Sequence, residues 1–310
     1  MKIAVVGVGG VGGFFGWRLL EAGEDVVFVT RGETCRVLKE TGLTIETLDG
    51  DTVLRPVKAF EDPSEVGAVD AVLLAVKSWQ VPEAAKTIRP MIGPQTFVLP
   101  LQNGVDSPFV VGAELGMEHV LGGLCYIVSF KLGPGHIRHA GLEPRILLGE
   151  LDRSPSKRTV QMRDALVAAG VRAEIPEDIQ AAMWEKFLFI ASLSGICAVT
   201  RAPAGPIRSI PETRSMLIQT IEEIRSLARA KHITLKPDIV DSAMAVVDGL
   251  PEDATTSMQR DIMEGRPSEL EALNGFVAKS GAERGIPVPL NSFLYWALIP
   301  QERAARKTLS

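Results

Sequence analysis

The chain has 310 residues, with 33 Lys and Arg against 38 Asp and Glu, a formal net charge of −5, 46% hydrophobic residues and three cysteines. A chain of this length suggests two domains of ~100–200 residues each, and its apolar fraction excludes both a disordered polymer and a small disulfide-stapled scaffold. The negative balance gives no bulk attraction to phosphate backbones or anionic lipid, so nucleic acid and membrane are not expected partners, although a local basic site for one small anion is still open.

Cys35, Cys125 and Cys197 are widely separated and form no CxxC or Cys/His pattern, which fits reduced core residues in a cytosol. The N-terminal MKIAVVGVGGVGG lacks a secretory cleavage site. The longest apolar stretches, Ala71–Val76 and Phe187–Val199, are shorter than the ~20 residues that cross a bilayer. A soluble, cytoplasmic protein is therefore expected.

Lys2–Val6 is short, apolar and β-branched, the pattern of a strand buried on both faces. A helix is predicted from Gly10 to Ala22, stopping at Gly23, and Asp25–Thr30 reads as a second strand, completing a βαβ unit. Further strands are predicted at Thr52–Val57, Ala71–Ala75, Thr96–Pro100 and His119–Phe130, with a helix over Gln80–Ile88. The alternation implies an α/β class with a doubly wound parallel sheet of Rossmann type. Gly133–Arg145 reads as an antiparallel hairpin appended to that sheet, and Ser156–Ala169 as a helix.

After Pro176 helical patterns take over: Asp178–Leu193, Pro211–Lys231, Lys236–Met244, Ser268–Arg284 and Asn291–Leu298, punctuated by Gly and Pro. The expected division is a dinucleotide-binding domain over 1–176 and an all-helical domain over 177–310.

Gly7-Val8-Gly9-Gly10-Val11-Gly12 is a GxGxxG motif between a strand and a helix, the setting its chemistry requires. Gly7 turns the chain, Gly9 lets backbone N–H groups approach a pyrophosphate, and Gly12 packs helix on strand. An acidic residue closing the second strand would mark NAD. Here Thr30-Arg31-Gly32 follows, and a guanidinium suits a 2′-phosphate, although Glu33 is near enough to bind a ribose instead.

Lys77 and Asn103 each follow a strand, at the carboxyl edge where open α/β sheets bind ligands. A solvated lysine and an Asn-Gly turn are the plain alternatives. Lys186, in Met183-Trp184-Glu185-Lys186-Phe187, stands among apolar neighbours; desolvation would lower its pKa and suit it to proton donation, unless it snorkels to solvent. Ser268-Glu269-Leu270-Glu271 reads as a helix start with a capping box, which would leave Glu269 complementing a dipole. His119, His136, His139 and His232 show no metal-ligand spacing, so no metal is expected.

These motifs line up in order: GVGGVGG with Thr30-Arg31, AVKSWQV, LQNGV, WEKF, TSM and DIMEGRPSELEALNG followed by GIPVP. Together they resemble the ketopantoate reductases, NADPH-dependent 2-oxoacid reductases with an N-terminal Rossmann domain and a helical C-terminal domain. The resemblance implies that Gly7, Gly9 and Gly12 cradle the pyrophosphate, that Arg31 meets the 2′-phosphate, and that Lys77 and Asn103 contact cofactor and substrate. It makes Lys186 the general acid, Ser257 the ligand of the substrate carboxylate, and Glu269 the residue that orients the substrate hydroxyl and helps hold Lys186. A homodimer is implied as well.

Where the family carries asparagines one and two helical turns after the lysine, this chain has Ile190 and Ser194, a more apolar wall beside the substrate. The expected activity is reduction of 2-dehydropantoate (ketopantoate) to pantoate. The alternatives are a related reductase for another 2-oxoacid, and a catalytically silent NADP-binding sensor.

Overall fold

The computed structural model describes residues 1–141 and 143–307. Two compact units emerge: Met1–Gln102 with Asp106–Ile179, and Asn103–Val105 with the chain from Gln180 onward. The loop Asn103–Val105 thus groups with the helical unit although its flanks group with the first.

The first unit runs β1 (Lys2–Val6), α1 (Gly10–Glu21), β2 (Asp25–Val29), α2 (Gly32–Glu40), β3 (Leu43–Thr47), β4 (Gly50–Leu54), β5 (Lys58–Phe60), β6 (Val69–Leu74), α3 (Val81–Thr87), β7 (Ile92–Pro100), α4 (Ser107–Leu115), β8 (Gly122–Tyr126), β9 (Ser129–Gly133), β10 (His136–His139), β11 (Arg145–Gly149), α5 (Lys157–Ala168) and β12 (Arg172–Glu174). Its main sheet has the order β5-β2-β1-β6-β7, every neighbouring pair parallel. Because side chains alternate along a strand, Ile3 and Val5 enter one core while Ala4 and Val6 enter another on the opposite face. The strands are apolar without alternation for that reason.

Helix α1 is apolar almost all round, with Phe14, Phe15, Trp17 and Leu19 buried. It packs on β1 and β2 and also on β3, β9 and β10, so two sheets cover it. These belong to a second, four-stranded sheet of order β4-β3-β10-β9; the third sheet is β12-β11-β8.

Three expectations are corrected here. His119–Phe130 is not one strand, because β8 pairs antiparallel with β11 while β9 pairs antiparallel with β10. Each half therefore joins a different sheet. Likewise β10 and β11, expected as the arms of a hairpin, never pair: β10 lies against β3 and β9, and β11 against β8 and β12. Thr52–Val57 is cut short at Leu54 and is the second arm of a hairpin whose first arm, β3, the sequence reading omits.

The second unit is helical: α6 (Ile179–Thr200), α7 (Ala204–Ser209), α8 (Pro211–Ala230), α9 (Ile239–Asp248), α10 (Ser257–Met263), a π-helical turn at Glu271–Gly275, α11 (Phe276–Arg284) and α12 (Pro289–Lys307). Leu217, Ile221, Ile224 and Leu227 form the buried stripe of α8. Among the described residues α6 is the one helix long and apolar enough to cross a membrane, and 72% of its apolar window is buried in the protein. Its composition is that of a core helix apolar on every side. It is longer than the sequence reading allowed, because Ser192, Ser194 and Gly195 are interior positions of α6 and do not end it.

Helix α12 also outruns expectation and continues through Pro300 to Lys307. Beyond the proline, the side chain of Glu302 is 1% exposed and accepts from the backbone N–H and hydroxyl of Ser268, and Arg306 donates to it at 2.6 Å. This anchorage offsets the helical bond lost at Pro300.

Candidate active site

The glycine loop has the shape its motif demands. Gly7 has φ of +94°, and a Cβ there would lie 2.8 Å from the Val76 backbone nitrogen. A Cβ on Gly12 would come within 2.1 Å of the Gly7 carbonyl oxygen, so only glycine lets α1 approach β1 this closely. Gly9 is different: a Cβ there meets nothing within 4 Å. The protein itself gives no reason for glycine at position 9, whereas a group seated on the loop would. Gly9 is the N-cap of α1, with no side-chain cap and no acidic residue in the first turn, leaving the positive helix end to a ligand. The loop fits a pyrophosphate.

Arg31 is the exposed N-cap of α2. It borders an open cleft of about 390 Å³ shared with Glu61, Asp62, Pro63 and Thr87. Glu61 accepts from the Gly32 backbone N–H at 2.9 Å. Glu33, the alternative ribose ligand, is bonded to Arg36, and that bond holds its carboxyl below the usual carboxylate range. Lys77 lies just past the carboxyl end of β6, exposed, with its ammonium 5.8 Å from the centre of the Trp79 ring.

In the helical unit the structure brings together Lys186, Asn103 and Glu269. Lys186 projects from the second turn of α6 and is only 9% exposed; its sequence neighbours Trp184 and Phe187 form an edge-to-face cluster with Phe276. It does not snorkel. Its Nζ donates to Asn103 Oδ1 at 2.9 Å, and Asn103 Nδ2 reaches Glu269 Oε2 at 3.4 Å. Asn103, half-buried, therefore joins ammonium to carboxylate across 83 residues on one side and 166 on the other.

The capping-box expectation for Ser268-Glu269 is corrected. Ser268 is held by Glu302, its Oγ accepts from the Leu270 N–H at 3.2 Å, and the next turn is π-helical. Glu269 is buried at 7% exposure, its carbonyl accepting from Ala272 and Leu273. A π turn beside a buried carboxylate is a frequent mark of a functional site.

Ser257 is the half-buried first residue of α10, just after the capping box of Thr256 and Gln259. Ile190 is half-buried one turn past Lys186, and Ser194 is 1% exposed in the interior of the unit. Sequence reasoning passed over Gln102, whose Nε2 donates to the Leu74 and Val76 carbonyls at 2.8 and 3.0 Å. It ties the end of β7 to the end of β6 and so fixes where the Asn103 loop departs. Its signal was its place beside Asn103 in LQNG.

A buried ammonium wired to an amide and a carboxylate can hold a proton donor in one place. Together with a dinucleotide-type loop in the α/β unit, this defines an oxidoreductase of two unlike units. The family models for "Ketopantoate reductase PanE/ApbA" and for its C-terminal part match residues 3–153 and 178–302. A 2-dehydropantoate 2-reductase of Nostoc sp. is 30% identical, covering 96% of this chain and 94% of its own. An uncharacterized oxidoreductase of Bacillus subtilis is 31% identical, covering 95% and 97%.

Among solved structures, a PanE/ApbA family ketopantoate reductase from Ralstonia eutropha superposes with a TM-score of 0.90 at 29% identity, over 99% of this chain and 100% of that one. A D-mandelate dehydrogenase, solved with NADH and anilino(oxo)acetate, shares the fold with a TM-score of 0.90 at 22% identity, over 99% of each chain. The chain belongs to the ketopantoate reductase family.

Proposed function

We propose that this protein reduces a 2-oxoacid to a 2-hydroxyacid with NADPH, 2-dehydropantoate being the first substrate to test. The observation that carries the reading is the buried string Lys186–Asn103–Glu269 in a member of this family. A nicotinamide cofactor seated on Gly7, Gly9 and Gly12, with Arg31 at its 2′-phosphate and Lys77 beside it, supplies the hydride. Lys186 then acts on the carbonyl oxygen: its charge stabilises the growing alkoxide, and its Nζ gives up a proton to it. Asn103 accepts from Nζ and so aims the proton, while Glu269 orients the substrate hydroxyl and Ser257 holds the carboxylate. Burial keeps water from Lys186 and Glu269, which strengthens their charge interactions.

The half-buried Ile190, one turn from Lys186, favours a second reading in which the side chain of the oxoacid is more apolar than that of ketopantoate. The fold is shared with a D-mandelate dehydrogenase, so fold alone does not select the substrate. NADPH oxidation followed at 340 nm over ketopantoate and a panel of aliphatic and aryl 2-oxoacids decides between them. Fast turnover of ketopantoate supports the first reading, and turnover of an apolar oxoacid in its place supports the second. Tight NADPH binding without turnover anywhere in the panel sinks both and leaves a sensor.

The glycine loop makes its own prediction. Gly9→Ala is expected to leave the urea midpoint unchanged and weaken NADPH binding, since its methyl group clashes with nothing in the protein. Gly12→Ala should lose both, because overpacking typically costs about 1–3 kcal/mol and its Cβ meets the Gly7 carbonyl. Equal behaviour of the two variants in both assays contradicts this account.

A further inference from the structure

We infer that Lys131, on β9, is a second cation for the cofactor's adenosine 2′-phosphate, working with Arg31 to select NADPH over NADH. The inference rests on the proposed function and adds a residue to it. Ser129 and Lys131 lie two apart on β9 and so point to the same side. Ser129 Oγ donates to the Gly10 carbonyl at 2.9 Å, which fixes this strand over the start of α1. Lys131 Nζ donates to Thr34 Oγ1 at 2.9 Å, in the first turn of α2, three residues from Arg31. The strand therefore bridges the pyrophosphate loop and the Arg31 corner, and it brings an ammonium to the second.

Most arginines of this unit are already neutralised. Arg36, Arg89, Arg138, Arg145, Arg153, Arg158, Arg163 and Arg172 are each paired with a carboxylate within 2.7 Å. Among the described residues neither Arg31 nor Lys131 has such a partner, and the neutral hydroxyl of Thr34 is what Lys131 touches. Lys131 is an exposed residue, yet partial burial pushes its ammonium below the usual lysine range. The Thr34 hydroxyl brings this ammonium no counter-charge, and a dianionic phosphate monoester would supply one.

Arg31 alone is poorly placed to attract such an ion. Its cleft is shared with Glu61 and Asp62, whose two negative charges outweigh one guanidinium. Lys131, bonded to Thr34 three residues along α2, adds a second positive charge next to that corner.

The test is equilibrium binding, read by cofactor fluorescence for NADPH and NADH and by calorimetry for 2′,5′-ADP and 5′-ADP, on the full chain and on Lys131→Ala, Lys131→Arg and Arg31→Ala. Lys131→Ala should weaken NADPH and 2′,5′-ADP by about tenfold or more, the loss of one charge-assisted contact, and leave NADH and 5′-ADP unchanged. Lys131→Arg should restore most of the difference. Equal losses for NADPH and NADH, or no loss for either, overturn the role assigned to Lys131 while leaving the reductase standing. Failure of the wild-type chain to bind either nicotinamide cofactor overturns both.

Discussion

Replacing Lys186 by methionine is expected to lower kcat on the best 2-oxoacid by about 10²–10⁴-fold, the usual contribution of a positioned general acid. Cofactor affinity should change little, whereas thermal stability should fall modestly, because Asn103 Oδ1 loses its donor. Methionine keeps an unbranched side chain of similar length at this buried position, so the core around α6 loses little volume. What disappears is the ammonium whose Nζ lies 2.9 Å from Asn103 Oδ1, with its transferable proton and the charge that steadies the alkoxide.

Lys186→Arg should not rescue activity. A guanidinium stays protonated at any working pH and its planar fork cannot occupy the single donor position that Asn103 accepts from. Stopped-flow single-turnover measurements isolate the effect from product release. A methionine variant that retains more than a tenth of wild-type kcat would remove Lys186 from the chemistry and shift the proton donor elsewhere.

Much of the α/β unit could be read from local pattern because its core elements are local. The strand at Lys2–Val6, the glycine turn and the helix to Glu21 follow one another with no long-range partner needed to recognise them. The split between β8 and β9 could not be read so. Each strand is defined by a partner in a different sheet, and nothing between Tyr126 and Ser129 announces the change.

The site shows the same divide. The residue types at Lys186, Asn103 and Glu269 were legible in order through their motifs, yet the contact of Asn103 with both others closes only when a loop after β7 joins the helical unit. Lys131 was invisible for that reason as well: its meeting with Thr34 spans 97 residues, and no spacing encodes it. Helix ends were misjudged where buried polar groups override propensity. Pro300 argued for a stop, and the clamp of Glu302 and Arg306 on Ser268 carries the helix past it.

That clamp carries the largest expected effect on stability. Glu302 is 1% exposed, and its two oxygens accept from the Ser268 N–H at 3.2 and 2.9 Å, from Ser268 Oγ at 2.6 Å, and from Arg306 at 2.6 Å. Glu302→Ala strands the buried N–H and hydroxyl of Ser268, each costing about 1–3 kcal/mol, while Arg306 keeps solvent and its bond to the Ser268 carbonyl. Glu302→Gln should cost less, because an amide oxygen still accepts from Ser268, although the –NH2 replacing the other oxygen can no longer accept from Arg306.

The consequence reaches the site, since Ser268 is bonded directly to the residue that supplies the buried carboxylate. With Ser268 released, Glu269 is no longer held at the start of the π turn, and Asn103 loses its fixed acceptor. Urea denaturation and kcat measured on the same preparations test the coupling. Both should fall in the order wild type, Glu302→Gln, Glu302→Ala, with kcat depressed even far below the unfolding midpoint. A stable Glu302→Ala variant with reduced kcat would keep the link to Glu269 and reject the stability argument. A destabilised one with full kcat in the absence of urea would do the reverse, making the clamp a device of the fold alone.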